Sequence, residues 1–372
     1  MRKKLLFISM VLLSAVLLSA CAGGAIRGSS WPGLTADGDI AYLANGGLVY
    51  AVNLKDGKEI WHYPASASSK QVFYAAPVVT EDGLIIVGSA GTEHSMIAIN
   101  PADINPETNS PLEAWTFADA TDHWVASPLV VGDKLFAPNA DGNLYILDLS
   151  DGRSQKQSVA VVELAGRLWA QPATDGEHVF VTSLDHSIFA VDVKTYEIVW
   201  HEEVGGAIPG SPTIGADGML YVGSLASQLE QFDPQTGKHT SVLDAEGWIW
   251  STPVVDGDTL YFGDLKGNFY SFSTSTGELN WSAQPDGPIT ANAIVQNDHI
   301  LLATESGNIY ALDKDGKTLW FEDIRDEKLN GKIYTSPVVA SDLILIAPLE
   351  TDFNLTALDT NGRTVWTFVP EK

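Results

Sequence analysis

Hydrophobic and polar residues alternate along this chain in short runs with a period of two, as in L-I-I-V-G from Leu84, L-Y-V-G from Leu220 and L-Y-F-G from Leu260. Alternation carried by β-branched and aromatic residues, and bounded by D-G, G-D or T-G dipeptides, predicts β-strands joined by tight turns. No helical period intervenes.

The runs belong to a repeat of about forty residues, and a repeat has to be recognised before any domain is assigned. Each copy opens with a small or polar residue, proline and apolar residues: A-P-V-V at Ala76, S-P-L-V at Ser127, Q-P-A-T at Gln171, S-P-T-I at Ser211, T-P-V-V at Thr252 and S-P-V-V at Ser336. At Asn292 the same place reads N-A-I-V. A second strand follows, then a third such as L-Y-I-L-D (Leu144 to Asp148), I-F-A-V-D (Ile188 to Asp192) or I-Y-A-L-D (Ile309 to Asp313). A T-G or D-G turn leads into a fourth strand ending in tryptophan: Trp61, Trp281, Trp320 and Trp366, with Trp115 and Trp200 in the same place.

A four-stranded sheet cannot bury both faces alone, so the copies must stack, and radial closure protects their edges. The first copy is incomplete, opening at Trp31 to Leu34. Counting it, the 352 residues from Cys21 onward hold eight copies. The fold expected is all-β, an eight-bladed β-propeller of four-stranded antiparallel blades over residues 31–372. The first copy begins on its innermost strand and the last ends on its outermost, so closure is expected by face packing of the end blades. The periodic tryptophans suit wedges between blades, each with a large apolar area and an indole N–H to satisfy. The third and fifth copies carry Lys156 and Ser241 near that position, which predicts looser seams there. From Asn100 to Trp115 the chain takes 15 positions where Asp192 to Trp200 takes 8, and the seven extra residues are expected to bulge out at a turn.

Ahead of the repeats, Arg2, Lys3 and Lys4 precede an apolar run from Leu5 to Leu18, then Ser19, Ala20 and Cys21, the only cysteine. A basic stretch, an apolar stretch and a small-residue cleavage site make residues 1–20 an export signal. The end of that signal, L-L-S-A-C, resembles a bacterial lipobox, which implies that Cys21 is lipidated and that residues 21–30 are a short tether. Acyl chains would hold the protein on a membrane at about 0.8 kcal/mol per buried methylene. No later stretch offers eighteen consecutive apolar residues. Ala22 after the cysteine points to the outer membrane in a diderm cell; in a monoderm the anchor would lie on the outer face of the cell membrane.

Loss of residues 1–20 lowers the 21 basic side chains to 18 against 47 acidic ones, moving the formal charge from −26 to −29. A field of that sign repels phosphate backbones, so nucleic acid is excluded as a partner. It suits basic partner patches or simple solubility. The molecule is expected to act as a single copy.

The composite signature, a small residue and proline on the first strand, A-x-D on the third and T-G-x-x-x-W on the fourth, resembles the pyrroloquinoline-quinone-like repeat of β-propellers. The G-H and W-D dipeptides of WD40 units are absent. The resemblance implies one of two activities. One branch comprises quinoprotein dehydrogenases, with quinone, calcium, an adjacent cysteine pair and a basic Asp. The other has lost the cofactor and serves as scaffold, and includes a lipoprotein of the outer-membrane protein assembly machinery. A lone cysteine rules out the pair. Calcium needs about six to eight oxygen ligands, and Asp185, Asp264 and Glu305 read as turn residues. A non-catalytic, cofactor-free scaffold with a protein partner in the cell envelope is the expectation. A small-ligand-binding propeller is the alternative.

Three residues before the proline, four copies carry a large aromatic: Tyr74, Trp169, Trp250 and Tyr334. Phe73, Trp124 and Trp248 lie next to them, with His123, Arg167 and Lys332 beside. Radial symmetry would place equivalent positions in a circle at one mouth of the central channel. There they would either bind a partner or flat ligand, since Trp and Tyr dominate binding hot spots, or simply cap the channel. The eight histidines show no metal-ligand spacing, and there is neither a G-x-S-x-G elbow nor a phosphate loop.

Overall fold

The computed structural model describes residues 31–296, 298–323 and 331–370. Over these residues every regular element is a strand, and the strands form eight four-stranded antiparallel sheets, each from four consecutive strands. The blades span residues 33–63, 78–117, 129–163, 173–203, 213–244, 254–283, 294–323 and 338–368. Residues 1–30, and with them the export signal, Cys21 and the tether, lie outside the described residues.

Blade four shows how the repeat signature becomes structure. Its strands are Ala173–Thr174, His178–Thr182, Ser187–Asp192 and Ile198–Glu203. Ala190 of A-x-D stands opposite Trp200, and the register slips by one residue just past that pair. The same small-residue and tryptophan pairing recurs as Ala51 with Trp61, Ala98 with Trp115, Ser271 with Trp281, Ala311 with Trp320 and Ala357 with Trp366. A small residue leaves room for the indole to lie flat across the sheet. Two positions on, the Asp192 carboxylate accepts the N–H groups of Lys194 and Thr195 at 2.8 Å and holds the turn into the fourth strand.

The indole then reaches the next blade. Trp200 donates its N–H to the Pro234 carbonyl at 2.8 Å, and its ring covers Gly237, where a Cβ would come within 2.8 Å of it. Trp281 covers Gly316, Trp320 covers Gly362, and Trp366 of the last blade covers Gly57 of the first. At these four turns the glycine is thus the floor of the neighbouring tryptophan's seat. At Gly237 the backbone also has a φ of 73°, a region where only glycine is unstrained.

The two blades without tryptophan fill their seams by other means. After blade three, the turn of blade four is Thr195-Tyr196, and Tyr196 adopts a φ of 61° to pack its ring 6.1 Å from Phe136. Before blade three, buried Lys156 pairs with Asp151, lies 5.8 Å from the Trp115 ring, and its N–H bonds the Thr116 carbonyl at 2.7 Å. In blade five, fully buried Tyr221 packs in one apolar cluster with Leu260 and Phe262 of blade six, its hydroxyl tied to Asp217 at 2.8 Å and to Gln231 at 2.7 Å. These seams are therefore packed, where the missing indoles had suggested slack. Gly152 of blade three and Gly277, in the turn beyond blade five, have nothing above them.

The extra residues of blade two lengthen a hairpin rather than bulging from a turn. The third and fourth strands run Met96–Asn105 and Ser110–Phe117. The added arm leans on blade one: Asn109 donates to the Ile60 carbonyl at 3.0 Å, and Ser110 to the His62 carbonyl at 2.8 Å.

The ring closes by face packing. Leu34, Leu43, Tyr50 and Val52 of blade one form one apolar cluster with Leu345, Leu355, Ala357 and Phe368 of blade eight. Trp366 donates to the Leu54 carbonyl at 2.8 Å across the same seam.

Candidate functional site

The loop that brings the chain into each innermost strand is pinned in the same way in seven blades. The residue five before the proline position offers its carbonyl to an N–H of the turn between the second and third strands of the same blade. His123 accepts from Ala140 at 3.1 Å, Arg167 from Leu184 at 3.0 Å, Trp248 from Leu265 at 2.9 Å and Lys332 from Leu349 at 2.8 Å; Val72, Ala207 and Pro288 do likewise. That bond sets the phase of the extended residues that follow. The fifth residue before the proline lies on the outer face of the loop. The next side chain, four before, turns into the seam between blades, and the third before points at the axis.

The fourth position is Phe73, Trp124, Leu168, Ile208, Ile249, Ile289 and Ile333, all essentially fully buried. Trp124 bonds the His94 carbonyl at 2.9 Å and packs on Phe117 and Tyr145. Its Cβ sits where a Cβ on Gly88 would be, 2.3 Å away, just as Ile249 and Ile289 sit on Gly223 and Gly263. Trp124 and its neighbour Phe73 are core wedges and do not line the mouth. Trp248, at the fifth position, is 57 % exposed and stands outside the ring of aromatics.

The third position reads Tyr74, Val125, Trp169, Pro209, Trp250, Thr290 and Tyr334 from blade two to blade eight. Large aromatics fall on alternate blades, two, four, six and eight, with smaller residues between them. Eight large rings would crowd a narrow axis, and alternation admits four.

Their centre is taken by a residue that the repeat alone did not single out. Trp31 stacks on Tyr334 at 6.1 Å and 28°, and meets Trp169 and Trp250 edge-on at 6.5 and 6.0 Å. A signal was present: Trp31 directly precedes Pro32, where every other copy carries Ala, Ser, Gln, Thr or Asn. Those residues serve a different purpose. Around the axis Ser127 donates to the Ala76 carbonyl at 2.8 Å and Gln171 to the Pro128 carbonyl at 3.0 Å. Ser211 N–H donates to Thr252 at 3.0 Å, Thr252 N–H to Asn292 at 2.7 Å and Asn292 N–H to Ser336 at 2.9 Å. This girdle ties blade to blade beneath the mouth, and proline beside it leaves no N–H unmet.

Trp31 divides the mouth into two hollows. One, of about 280 Å³, is lined by Trp31, Tyr74, Trp169, Asp122, His123 and Arg167 among others. Asp122 accepts from the His123 N–H at 2.8 Å and pairs with its ring. Burial works to raise the Asp122 carboxyl, yet the His123 hydrogen bonds and the charges of His123 and Arg167 outweigh it and hold the carboxyl below its ordinary range. The other hollow, of about 160 Å³, is lined by Trp31, Trp250, Leu265, Thr290, Glu305 and Tyr334. Burial raises the Glu305 carboxyl above its ordinary value, opposed by Lys332 and by the Tyr334 and Thr290 hydroxyls.

These donors do not suit a calcium-bound quinone. Among the described residues no three His, Cys, Asp or Glu side chains gather around a possible ion. Asp264 spends its buried carboxylate on the N–H groups of Gly247, Lys266 and Asn268, the Asn268 amide and the Tyr270 hydroxyl, all at 2.8–2.9 Å.

Comparison with known proteins adds the lineage. The family described as outer membrane protein assembly factor BamB matches residues 18–241 and 232–369. The BamB of Shewanella oneidensis is 25% identical over 259 residues, 66% of this chain and 60% of that protein. A lupanine 17-hydroxylase [cytochrome c] from a Pseudomonas species is 24% identical over 43% of this chain and 26% of its own length. The chain thus aligns with three-fifths or less of the length of these relatives. The crystal structure of BamB from Moraxella catarrhalis superposes with a TM-score of 0.67 at 21% identity, covering 90% of this chain and 96% of that one, a likeness of fold.

Proposed function

The chain belongs to the outer membrane protein assembly factor BamB family, and from that premise we propose that it is a non-catalytic, lipid-anchored scaffold of outer-membrane protein assembly. The observation that carries this reading is the family match, which runs through all eight blades. The unsuitability of the mouth for a quinone and calcium supports the non-catalytic part.

In this reading Cys21 carries the lipid and residues 21–30 tether the propeller to the outer membrane, the destination that Ala22 favours. The partner is a protein of the cell envelope. It docks on the mouth beside blades six to eight, where exposed Trp248 lies two residues before Trp250 and accepts at its carbonyl from the N–H of Leu265, Trp250 and Leu265 lining the smaller hollow. Exposed indoles next to an apolar hollow are the composition of a binding hot spot. Each anchor would contribute about 2 kcal/mol or more.

Affinity purification from the native membrane tests this. Trp248→Ala with Trp250→Ala should lower capture of an assembly partner at least tenfold without changing the unfolding midpoint by more than about 4 °C. Capture that is undiminished by the pair would refute the assignment of the mouth, and a propeller that purifies without any envelope protein would refute the scaffold.

A further inference from the structure

The hollow on the opposite side of Trp31 has chemistry of its own. Its walls are the rings of Trp31, Tyr74 and Trp169. The Trp169 indole N–H is buried in the protein and has no hydrogen-bond partner among the described residues. An unmet buried donor costs about 1–3 kcal/mol. On the seams Trp200, Trp281 and Trp366 each donate to a carbonyl; the buried Trp320 N–H is also unmet, but Trp320 lies on a seam and does not line the hollow. At the rim lies the Arg167 guanidinium, which forms no direct ion pair among the described residues; its charge acts on Asp122, and that carboxylate is already engaged by His123. Arg167 and the indole can only donate. A ligand that satisfies both must accept, and the strongest acceptor for a guanidinium is a carboxylate. The remaining wall is aromatic and the space small, about 280 Å³, so the ligand's body must be compact and apolar.

We propose that this hollow binds a small carboxylic acid carrying a single flat apolar group. The body lies against Trp31, Tyr74 and Trp169, and the carboxylate accepts from Arg167 and the Trp169 N–H. Such a group occurs both in free aryl acids and at the terminus of a polypeptide. This site goes beyond the scaffold reading and does not rest on it, because it is measured on the isolated protein.

Calorimetry on the full chain would use 3-phenylpropionate, its neutral amide, and an acetylated tripeptide with an aromatic C-terminal residue. The acid should bind about tenfold more tightly than the amide. Arg167→Gln should abolish that preference, and Trp169→Phe, which keeps a ring but loses the N–H, should weaken the acid several-fold. Arg167 is exposed, so the glutamine variant is expected to keep the wild-type unfolding curve. Tighter binding of the tripeptide than of the free acid would assign a chain terminus as the source, and the reverse a free acid. Equal affinity for acid and amide, an unchanged preference in Arg167→Gln, or no heat from any of the three at millimolar concentration would overturn the proposal.

Discussion

At Gly237 two constraints meet: the backbone turns through a φ of 73°, and the Trp200 ring lies where a side chain would begin. Gly237→Ala should therefore destabilise by more than about 1 kcal/mol, read as a lower urea midpoint with unchanged slope. Gly277 has a similar φ of 70° but no ring above it, so Gly277→Ala should cost less, about 1 kcal/mol from the backbone alone. The difference between the two variants isolates the tryptophan seat. Tyrosines supply a pH signature at the same scale. Burial, with Glu59 nearby, raises the Tyr50 hydroxyl to about 12, and burial with the bond to Asp141 raises Tyr145 to about 12. Both sit near 10 when unfolded. A pKa raised by folding gives stability that is complete below pH 10 and is lost as pH climbs through 12. Stability should fall across that window, and absorbance at 295 nm should show Tyr50 and Tyr145 ionising late, with Tyr63, Tyr221 and Tyr270, raised further by burial, later still.

Among elements, the seams decide how the ring holds. Trp366→Ala removes the indole that joins blade eight to the Leu54 carbonyl and Gly57, and should cost about 3–5 kcal/mol. Hydrogen exchange should then quicken in blades one and eight before the rest. Deleting residues 101–109 from the blade two arm removes the Asn109 bond to blade one, and exchange should quicken only along the outer strand of blade one. The strands and their count were legible in the sequence because alternation and turn dipeptides recur eight times. The direction of each aromatic was harder to read. Phe73 and Tyr74 are neighbours, yet one is core and the other axial, because a carbonyl bond five residues ahead of the proline sets the phase. The invariant bulk at the fourth position before the proline was the available clue. Seam contacts such as those of Tyr196, Tyr221 and Lys156 were hidden, since each reaches its seam from a different point in the repeat.

For the whole molecule, closure of eight blades gathers residues that lie hundreds of positions apart, so that Trp31 and Tyr334 stack. The mouth was foreseeable as a circle of four aromatics, but its centre was not, because Trp31 belongs to the incomplete first copy. Replacing Cys21 by Ser should move the protein from the membrane to the soluble envelope fraction, leaving the propeller folded. The most direct test of the account is photo-crosslinking in intact cells, with a photoreactive phenylalanine placed at position 248 at the mouth or at position 199 on the exposed outer strand of blade four. The account predicts one discrete adduct with an outer-membrane assembly protein from position 248 and none from position 199. An adduct from the outer strand with none from the mouth would contradict it.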